Sequence, residues 1–383
     1  MSFWMTDKRY FPLMASDVAI RLDLIVRLHG IEHAENYFNS VPKQLRGLKV
    51  YCALLECFAF CNYQKLDSLM HEMEEKGIPC SIHTYCTFLS AYAAQRNVDG
   101  IDNMLQKVQS GCNIALTWNF YSTAGDFYIK AGHFDKALTM LKKSEELCQG
   151  NSTAYNYLLT QYATLGKNEE VLRLWELYKT NTIVYNKGYM FIISSLLRLD
   201  DIESAEKIFD EWESQIPVTL KYDIRIPNLL LGAYSRKGLL EKFESFASRI
   251  TLKGGKPDVR TWYYFATVLL QRNEMEKAVN AMKEALLISQ PWWKPSDKSL
   301  AACLKYLKGK GDVDEAAKFI NLLGDKDIIS AEVQVKLLSY VKDGNVDSTL
   351  DGLLMLDGDA LHESGEIHQT SEVDKDSVDC KPK

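Results

Sequence analysis

Few side chains in this sequence are spaced for chemistry. His29 and His33 stand four residues apart, a spacing that places two imidazoles on one side of a helix and occurs in metal sites. Gly30 interrupts that helix, and no third metal ligand is visible. Asp200 and Asp201 are adjacent, which is more typical of a solvated turn than of an acid and base pair. Metal binding and acid-base catalysis are both disfavoured.

Motifs that carry catalysis elsewhere are absent from the 383 residues. There is no GxxxxGK[ST] phosphate loop, GxSxG nucleophile turn or HExxH zinc motif. The nine cysteines are scattered without a CxxC pair, which favours buried, reduced thiols in an intracellular compartment. No apolar run approaches the roughly 18 to 20 residues that a membrane span requires. The sequence therefore predicts a protein that is not an enzyme, binds no cofactor or metal and does not span a membrane.

The net charge of -6 is unevenly distributed. Residues 357–383 hold eight acidic residues and three lysines, a net of -5, which leaves about -1 for residues 1–356. The tail is polar and poor in aromatic residues, so it is predicted to be disordered. The acidic total therefore does not exclude a nucleic-acid-binding surface on the body of the protein.

An internal repeat supplies the elements that would position a site. Tyrosines stand at positions 51, 85, 121, 155 and 189, at intervals of 34, 36, 34 and 34 residues, and Trp262 follows after 73, about two further steps. We assign these aromatic side chains to the core rather than to base stacking. Eleven residues after each comes a residue that tolerates a turn: Asn62, Arg96, Gly132, Gly166, Asp200 or Asn273.

A second helix is predicted after each turn. A small or compact residue recurs about five residues on, and a large apolar residue follows four later on the same helical face. These pairs are Ala34 and Phe38, Ala137 and Leu141, Val171 and Trp175, Ala205 and Phe209, Ala278 and Met282, and Ala316 and Ile320. Since one hairpin cannot bury its apolar face alone, the fold class is an all-α, right-handed α-solenoid of helical hairpins.

The hairpins define the domain organisation. They begin near Ser16, Leu48, Ile82, Trp118, Ser152, Asn186, Ile224, Val259 and Asp297, with a partial tenth at Ser330. Residues 16–356 thus hold about nine and a half repeats, followed by the disordered tail at 357–383. The start, MSFWMTDKRYF, lacks the composition of a transit peptide. We interpret residues 1–15 as the remnant of an incomplete repeat, or an N-terminal segment, left by a truncated gene model.

The period of about 35 residues, the Tyr-Asn start in TAYNYLL and the ending GGKPD at 254–258 resemble the plant pentatricopeptide repeat family. GGKPD is the most specific fragment, because the rival tetratricopeptide repeat lacks it. The resemblance covers about residues 16–356 and fits the plain type without a catalytic extension. It implies a mitochondrial or plastid protein that binds single-stranded RNA, without chemistry of its own, in RNA stability, processing or translation. RNA-processing or ribosomal proteins are further implied partners.

In that family the fifth and last residues of a repeat read one base together. Two pairs here match the pattern: Ser122 with Asn151, which implies adenosine, and Asn228 with Asp258, which implies uridine. The alternative role of these four residues is turn and capping chemistry.

Other positions depart from the family pattern. Asn156 is paired with Tyr185, and this combination is not one of the pairs with which the family reads a base. At the second position, where the family usually has valine, several repeats carry a cation that would stack on or neutralise RNA without selecting its sequence. These amino-end cations are Lys49, Lys187, Arg225, Arg260 and Lys298.

Most repeats also carry a cation near the end of the first helix: Arg27, Arg96, Lys130, Arg198, Arg236, Arg272, Lys308 and Lys342. We assign five of them, the carboxyl-end cations, to contacts with the RNA backbone: Lys130, Arg198, Arg236, Arg272 and Lys308. Cations also suit the helix dipole there, so solubility or stability is the alternative explanation. The runner-up function is a protein-binding scaffold of the tetratricopeptide kind, which the weak readout pairs and near-neutral body favour.

Overall fold

The computed structural model describes residues 13–61, 64–78, 80–94, 96–111, 116–215, 222–290 and 293–343. Within them the regular elements are α-helices and one short 3-10 helix, Lys43–Leu45. The first helices of the hairpins are α1 (Ala15–His29), α3 (Leu48–Cys61), α5 (Ile82–Ala94), α7 (Trp118–Lys130), α9 (Ser152–Thr164), α11 (Asn186–Arg198), α13 (Arg225–Lys237), α15 (Val259–Gln271), α17 (Asp297–Lys310) and α19 (Ala331–Asp343). The second helices are α2 (Ile31–Ser40), α4 (Gln64–Glu75), α6 (Val98–Gly111), α8 (Phe134–Glu146), α10 (Asn168–Asn181), α12 (Ile202–Gln215), α14 (Leu240–Leu252), α16 (Met275–Leu287) and α18 (Val313–Asp325).

The predicted hairpins match these helices closely. Each predicted repeat start lies within one residue of the start of a first helix. The tail predicted at 357–383 lies outside the described residues, as does most of the segment 1–15.

The turn inside the hairpins is left-handed where the sequence predicts it. The backbone φ is positive at Arg96 (55°), Gly132 (80°), Gly166 (70°), Asp200 (65°) and Asn273 (61°), while Asn62 lies outside the described residues. After Gly166, the Lys167 N–H donates to the Tyr162 carbonyl at 3.0 Å, which closes the helix end and lets the chain reverse. The prediction of paired helices is confirmed at these turns.

Replacing Gly166 by alanine is expected to destabilise the protein by about 1 kcal/mol, because a Cβ disfavours its left-handed backbone. Nothing lies within 4 Å of the added Cβ, so a steric clash does not contribute. The matched control is Gly47→Ala, which also meets open space but lacks a positive φ. Urea unfolding should show a lower midpoint for G166A than for the wild type, and an unchanged midpoint for G47A. Equal midpoints for the two variants would contradict the role of the turn.

Residue contacts divide the chain into two units. Unit 1 comprises the described residues of Met1–Ala233 and Ala247–Gly255, and unit 2 those of Tyr234–Phe246 and Lys256–Lys383. In unit 1 the first helices α1, α3, α5, α7, α9 and α11 pack consecutively side by side. In unit 2, α15 packs on α17, and α16 packs on α18. Each unit thus repeats the stacking of hairpins that buries apolar surface between neighbours.

The predicted core positions are buried. All twelve members of the small and large pairs on the second helices are inaccessible or nearly so, as are Tyr51, Tyr85, Tyr155 and Tyr189; Tyr121 is half-buried. In unit 1 the Tyr155 ring stacks on Tyr178, with centroids 4.8 Å apart. The Trp175 ring meets Tyr178 edge-on at 5.8 Å and Tyr189 at 5.1 Å. This aromatic cluster joins two consecutive hairpins.

Tyrosine hydroxyls and carboxylates tie hairpins together at the edge of the core. Tyr128 of α7 donates to Asp102 of α6, and Lys136 of α8 donates to the same carboxylate at 2.5 Å. Burial alone would raise the pKa of Asp102, but the hydrogen bonds from Lys136 and Tyr128 outweigh it and leave the pKa below its ordinary value. The ionised carboxylate is therefore the form that the folded state favours.

A lowered pKa of Asp102 gives a definite pH dependence. The ionised Asp102 carboxylate contributes its full stabilisation at pH values above the pKa of an unfolded aspartate, about 3.9. That stabilisation is lost as the pH falls through the lower pKa of Asp102 in the folded state. We expect Asp102→Asn to lower the urea midpoint at pH 7, and the difference from the wild type to narrow below about pH 4. A difference that persists unchanged at pH 3 would contradict the ionic role.

Candidate nucleic-acid interface

Two kinds of cation share one side of a first helix. Lys187 and Arg198 of α11 are eleven residues apart, which is three helical turns plus about 20°. They therefore lie on the same side of α11, about 16 Å apart along its axis. Both side chains are exposed. An amino-end and a carboxyl-end cation at this spacing place two positive charges on the same exposed side of the helix.

In unit 1 the carboxyl-end cations lie among polar side chains of neighbouring first helices. Arg198 Nη1 donates to Thr164 Oγ1 of α9 at 2.9 Å. Lys130 Nζ lies 2.7 Å from Asp126 Oδ2, yet the lysine side chain is 69% exposed. Asp126 also accepts from Gln161 of α9 at 3.3 Å. The side chains between helices are thus fixed by hydrogen bonds, while the cationic groups stay open to solvent.

In unit 2 the charges of two arginines act on one phenol. Burial raises the pKa of Tyr264, and the positive charges of Arg260 and Arg236 act against that rise. Arg236 and Arg260 are both exposed, so unit 2 also carries an exposed carboxyl-end cation and an exposed amino-end cation.

The other two carboxyl-end cations face different surroundings. Arg272 forms an ion pair with Glu244 of α14 and lies 3.9 Å from Glu274, with its side chain only 26% exposed. It follows Arg260 by twelve residues rather than eleven, an additional rotation of about 100° that turns it toward the second helices. Lys308 lies 3.5 Å from the ring centroid of Tyr340, a cation–π contact between neighbouring first helices.

The amino-end cations are exposed throughout. Arg225 donates to Asp223 at 2.9 and 2.7 Å. Burial acts to raise the pKa of Asp223, but Arg225 lowers it below its ordinary value, so this pair stays ionised. Where the structure describes their surroundings, the remaining four have no ion pair: Lys49, Lys187, Arg260 and Lys298.

Comparison with related sequences shows the family to which the chain belongs. Residues 68–113 match the sequence model of the pentatricopeptide repeat domain, and residues 189–215 match that of the PPR repeat. A mitochondrial pentatricopeptide repeat-containing protein of Arabidopsis thaliana is 35% identical over 368 residues, 86% of this chain and 74% of that protein. The chain belongs to the pentatricopeptide repeat family. The Arabidopsis large ribosomal subunit protein mL101 is 28% identical over 375 residues, 85% of this chain and 74% of mL101.

Solved structures confirm the α-solenoid fold class. The pentatricopeptide repeat protein PPR10 from maize superposes with a TM-score of 0.55 at 18% identity, over 90% of this chain and 52% of PPR10. PPR10 in complex with an 18-nucleotide RNA element gives 0.54 at 16% identity, over 88% of this chain and 47% of that one. This pentatricopeptide repeat chain therefore spans about half the length of PPR10.

The four residues predicted to read bases are buried or form hydrogen bonds within the pentatricopeptide repeats. Ser122 is 1% exposed, and its hydroxyl donates to the Asn119 carbonyl at 3.1 Å. Asn151 caps α9 by accepting from the Ala154 N–H at 3.0 Å.

The second pair has similar surroundings. Asp258 forms a capping box with Thr261, accepting from its N–H at 2.9 Å, and Asn228 is 3% exposed. Base reading by either pair stays a prediction.

One residue missed in the sequence stands at the last position of a repeat. Tyr185, the N-cap of α11, exposes 68% of its surface. Its partner position, Asn156, is buried, and the Asn156 Oδ1 atom has no hydrogen-bond partner in the described part of the chain. The sequence did offer a signal for this exposed ring, which was a tyrosine at one of the two positions where the family usually has a residue that reads a base.

Other candidate residues take structural positions. The His29 and His33 rings are 5.8 Å apart, and among the described residues no cluster of three or more metal-binding side chains occurs. Asp201 accepts from the Ser204 N–H at 3.0 Å and from Asn168 at 2.8 Å, which confirms the turn predicted at Asp200 and Asp201. None of the helices that the structure describes is long and apolar enough to cross a membrane.

Proposed function

We propose that this pentatricopeptide repeat protein binds single-stranded RNA on the exposed side of its first helices and performs no chemistry itself. The observation that carries the proposal is the placement of Lys187 and Arg198 on one side of α11. The exposed Arg236 and Arg260 give unit 2 two further positive charges. Exposed cations along the first helices suit the phosphates of a flexible single strand. The RNA complex of PPR10 adds support from the same fold.

The site of action that we propose is the mitochondrion, with the plastid as the alternative. Four of the relatives are named mitochondrial, and mL101 is a ribosomal protein. A role in RNA stability, processing or translation follows, with ribosomal or RNA-processing proteins as further partners. The pairs Ser122 with Asn151 and Asn228 with Asp258 remain proposed base readers, for adenosine and uridine respectively.

The proposal is tested by measuring binding of the purified chain to a pool of single-stranded RNAs across a salt series. If the protein contacts phosphates, the logarithm of the affinity should fall steeply and linearly with the logarithm of the salt concentration. Absence of RNA binding at low salt would refute the proposal. A protein scaffold of the tetratricopeptide kind would then be the better assignment.

A further inference from the structure

The amino-end cations oppose the electrostatics of the helices that carry them. Lys187, Arg260 and Lys298 lie in the first turns of α11, α15 and α17, where the helix dipole is positive. A cation at this end is unfavourable for the helix. The carboxyl-end cations, in contrast, are favoured by the same dipole. Helix stability is therefore an alternative explanation for the carboxyl-end cations, but it cannot explain the amino-end cations.

Local ion pairing does not explain these three cations either. Lys187, Arg260 and Lys298 are exposed and form no ion pair within the portion of the chain that the structure describes. Lysines on second helices behave differently: Lys207 pairs with Glu203 at 2.9 Å, and Lys277 pairs with Glu274 at 2.6 Å. Unpaired cations that destabilise their own helices gain a favourable interaction only when an external anion binds.

The groups that would select a base are already occupied. The Ser122 hydroxyl and the side chains of Asn151 and Asp258 form hydrogen bonds within their own helices. These bonds fix the three side chains to the protein backbone, so reading a base is limited to the donors and acceptors that the bonds leave unused. Phosphate binding by the amino-end cations has no such limit and gives no sequence information.

Tyr185 adds an aromatic surface beside one of these cations. It is the residue immediately before α11, two residues before Lys187, and its ring is exposed to solvent. An exposed tyrosine ring offers a flat apolar face on which a base can stack. Every base has a π-face, so stacking on tyrosine tolerates any sequence.

We propose that the protein holds single-stranded RNA independently of base sequence, with a phosphate at Lys187 and a base stacked on Tyr185 in unit 1, and with phosphates at Arg260 and Lys298 in unit 2. This inference rests on the proposed RNA-binding function and specifies its ligand class. It adds phosphate contacts at the amino ends of the first helices to those proposed at Arg198 and Arg236, and it makes Tyr185 a stacking residue rather than a base reader.

The first experiment compares 20-nucleotide oligo(U), oligo(A) and oligo(C) by fluorescence anisotropy. The expected affinities agree within about threefold, and the variant K187E/R260E/K298E weakens all three by the same factor, at least about tenfold. The matched control is K207E/K277E/K318E, which makes the same charge change on exposed second-helix positions. Far-ultraviolet circular dichroism of both variants establishes that they are folded.

Three results would overturn the inference while leaving RNA binding intact. One is a preference above about tenfold for one homopolymer that N228A/D258A abolishes, which assigns recognition to base reading. Another is equal weakening by the two triple variants, which reduces the effect to net charge. The third is unchanged affinity in the amino-end variant. Absence of binding to all three oligomers, in contrast, refutes the proposed function as well.

The second experiment isolates the stacking residue. Tyr185→Ala is expected to weaken binding to each oligomer about tenfold, while Tyr185→Phe keeps the ring and the affinity. Ile183→Ala is the control, because Ile183 is also exposed, in the same connection, but is not aromatic. If Y185A and I183A have the same effect, or if Y185F binds as weakly as Y185A, Tyr185 does not stack on a base.

Discussion

Reversing the charge of both Arg198 and Arg236 is expected to weaken binding to single-stranded RNA about a hundredfold at low salt, roughly tenfold for each residue. Both guanidinium groups are exposed, and neither forms an ion pair within the described portion of the chain. The only hydrogen bond of Arg198 given by the structure joins it to the neutral Thr164 hydroxyl. The positive charge of each is therefore available to a phosphate.

The salt dependence separates a lost contact from a damaged fold. Each phosphate contact to a single strand contributes about 0.7 to the slope of log affinity against log salt, so R198E/R236E should flatten it by about 1.4. The matched control is Arg272→Glu, because Arg272 already pairs with Glu244. We expect R272E to change affinity by less than about threefold. An effect of R272E equal to that of either exposed arginine would contradict this expectation, and would mean either that Arg272 contacts the RNA as the sequence predicts or that net charge governs binding.

The repeat architecture was predictable because several signals agree at each step of the chain. Tyr155, Gly166 and Trp175 are spaced as aromatic core residue, left-handed turn and apolar filler of a hairpin. The structure buries the two aromatics and gives Gly166 a φ of 70°. Periodicity in a stacked repeat fixes which residues face the neighbouring hairpin, so burial follows from position.

The surface was less predictable because small differences in helical phase decide where a side chain lies. Arg198 and Arg272 look equivalent as cations at the end of a first helix. One additional residue before Arg272 turns it toward Glu244, and this pairing depends on α14, which precedes it in the chain. No local pattern around Arg272 shows that partner.

Recognition residues were harder still to assign. The side chains of Ser122 and Asp258 suit base reading and helix capping equally well, because both roles use the same donors and acceptors. The structure shows the intramolecular bonds of Ser122 and Asp258. Tyr185 was identifiable as a departure from the family pattern, but its exposure depends on the path of the connection between α10 and α11.

The largest expected effect on stability is that of Trp175→Ala, which should lower the free energy of unfolding by about 3 to 5 kcal/mol. The Trp175 side chain is 1% exposed and contacts the rings of Tyr178 and Tyr189. Its removal leaves a cavity where two hairpins meet, and stacked hairpins depend on the interface with each neighbour. Urea unfolding followed by circular dichroism measures the change.

A conservative variant tests why the cost arises. Trp175 Nε1 is buried and has no hydrogen-bond partner among the described residues, so Trp175→Phe removes an unsatisfied donor as well as part of the ring. We therefore expect W175F to cost clearly less than W175A, about 1 to 2 kcal/mol. Phe134→Ala, at an exposed position in the same unit, should cost less than about 0.5 kcal/mol. If W175F destabilises as much as W175A, an unrecognised partner of the indole N–H, rather than packing, holds these hairpins together.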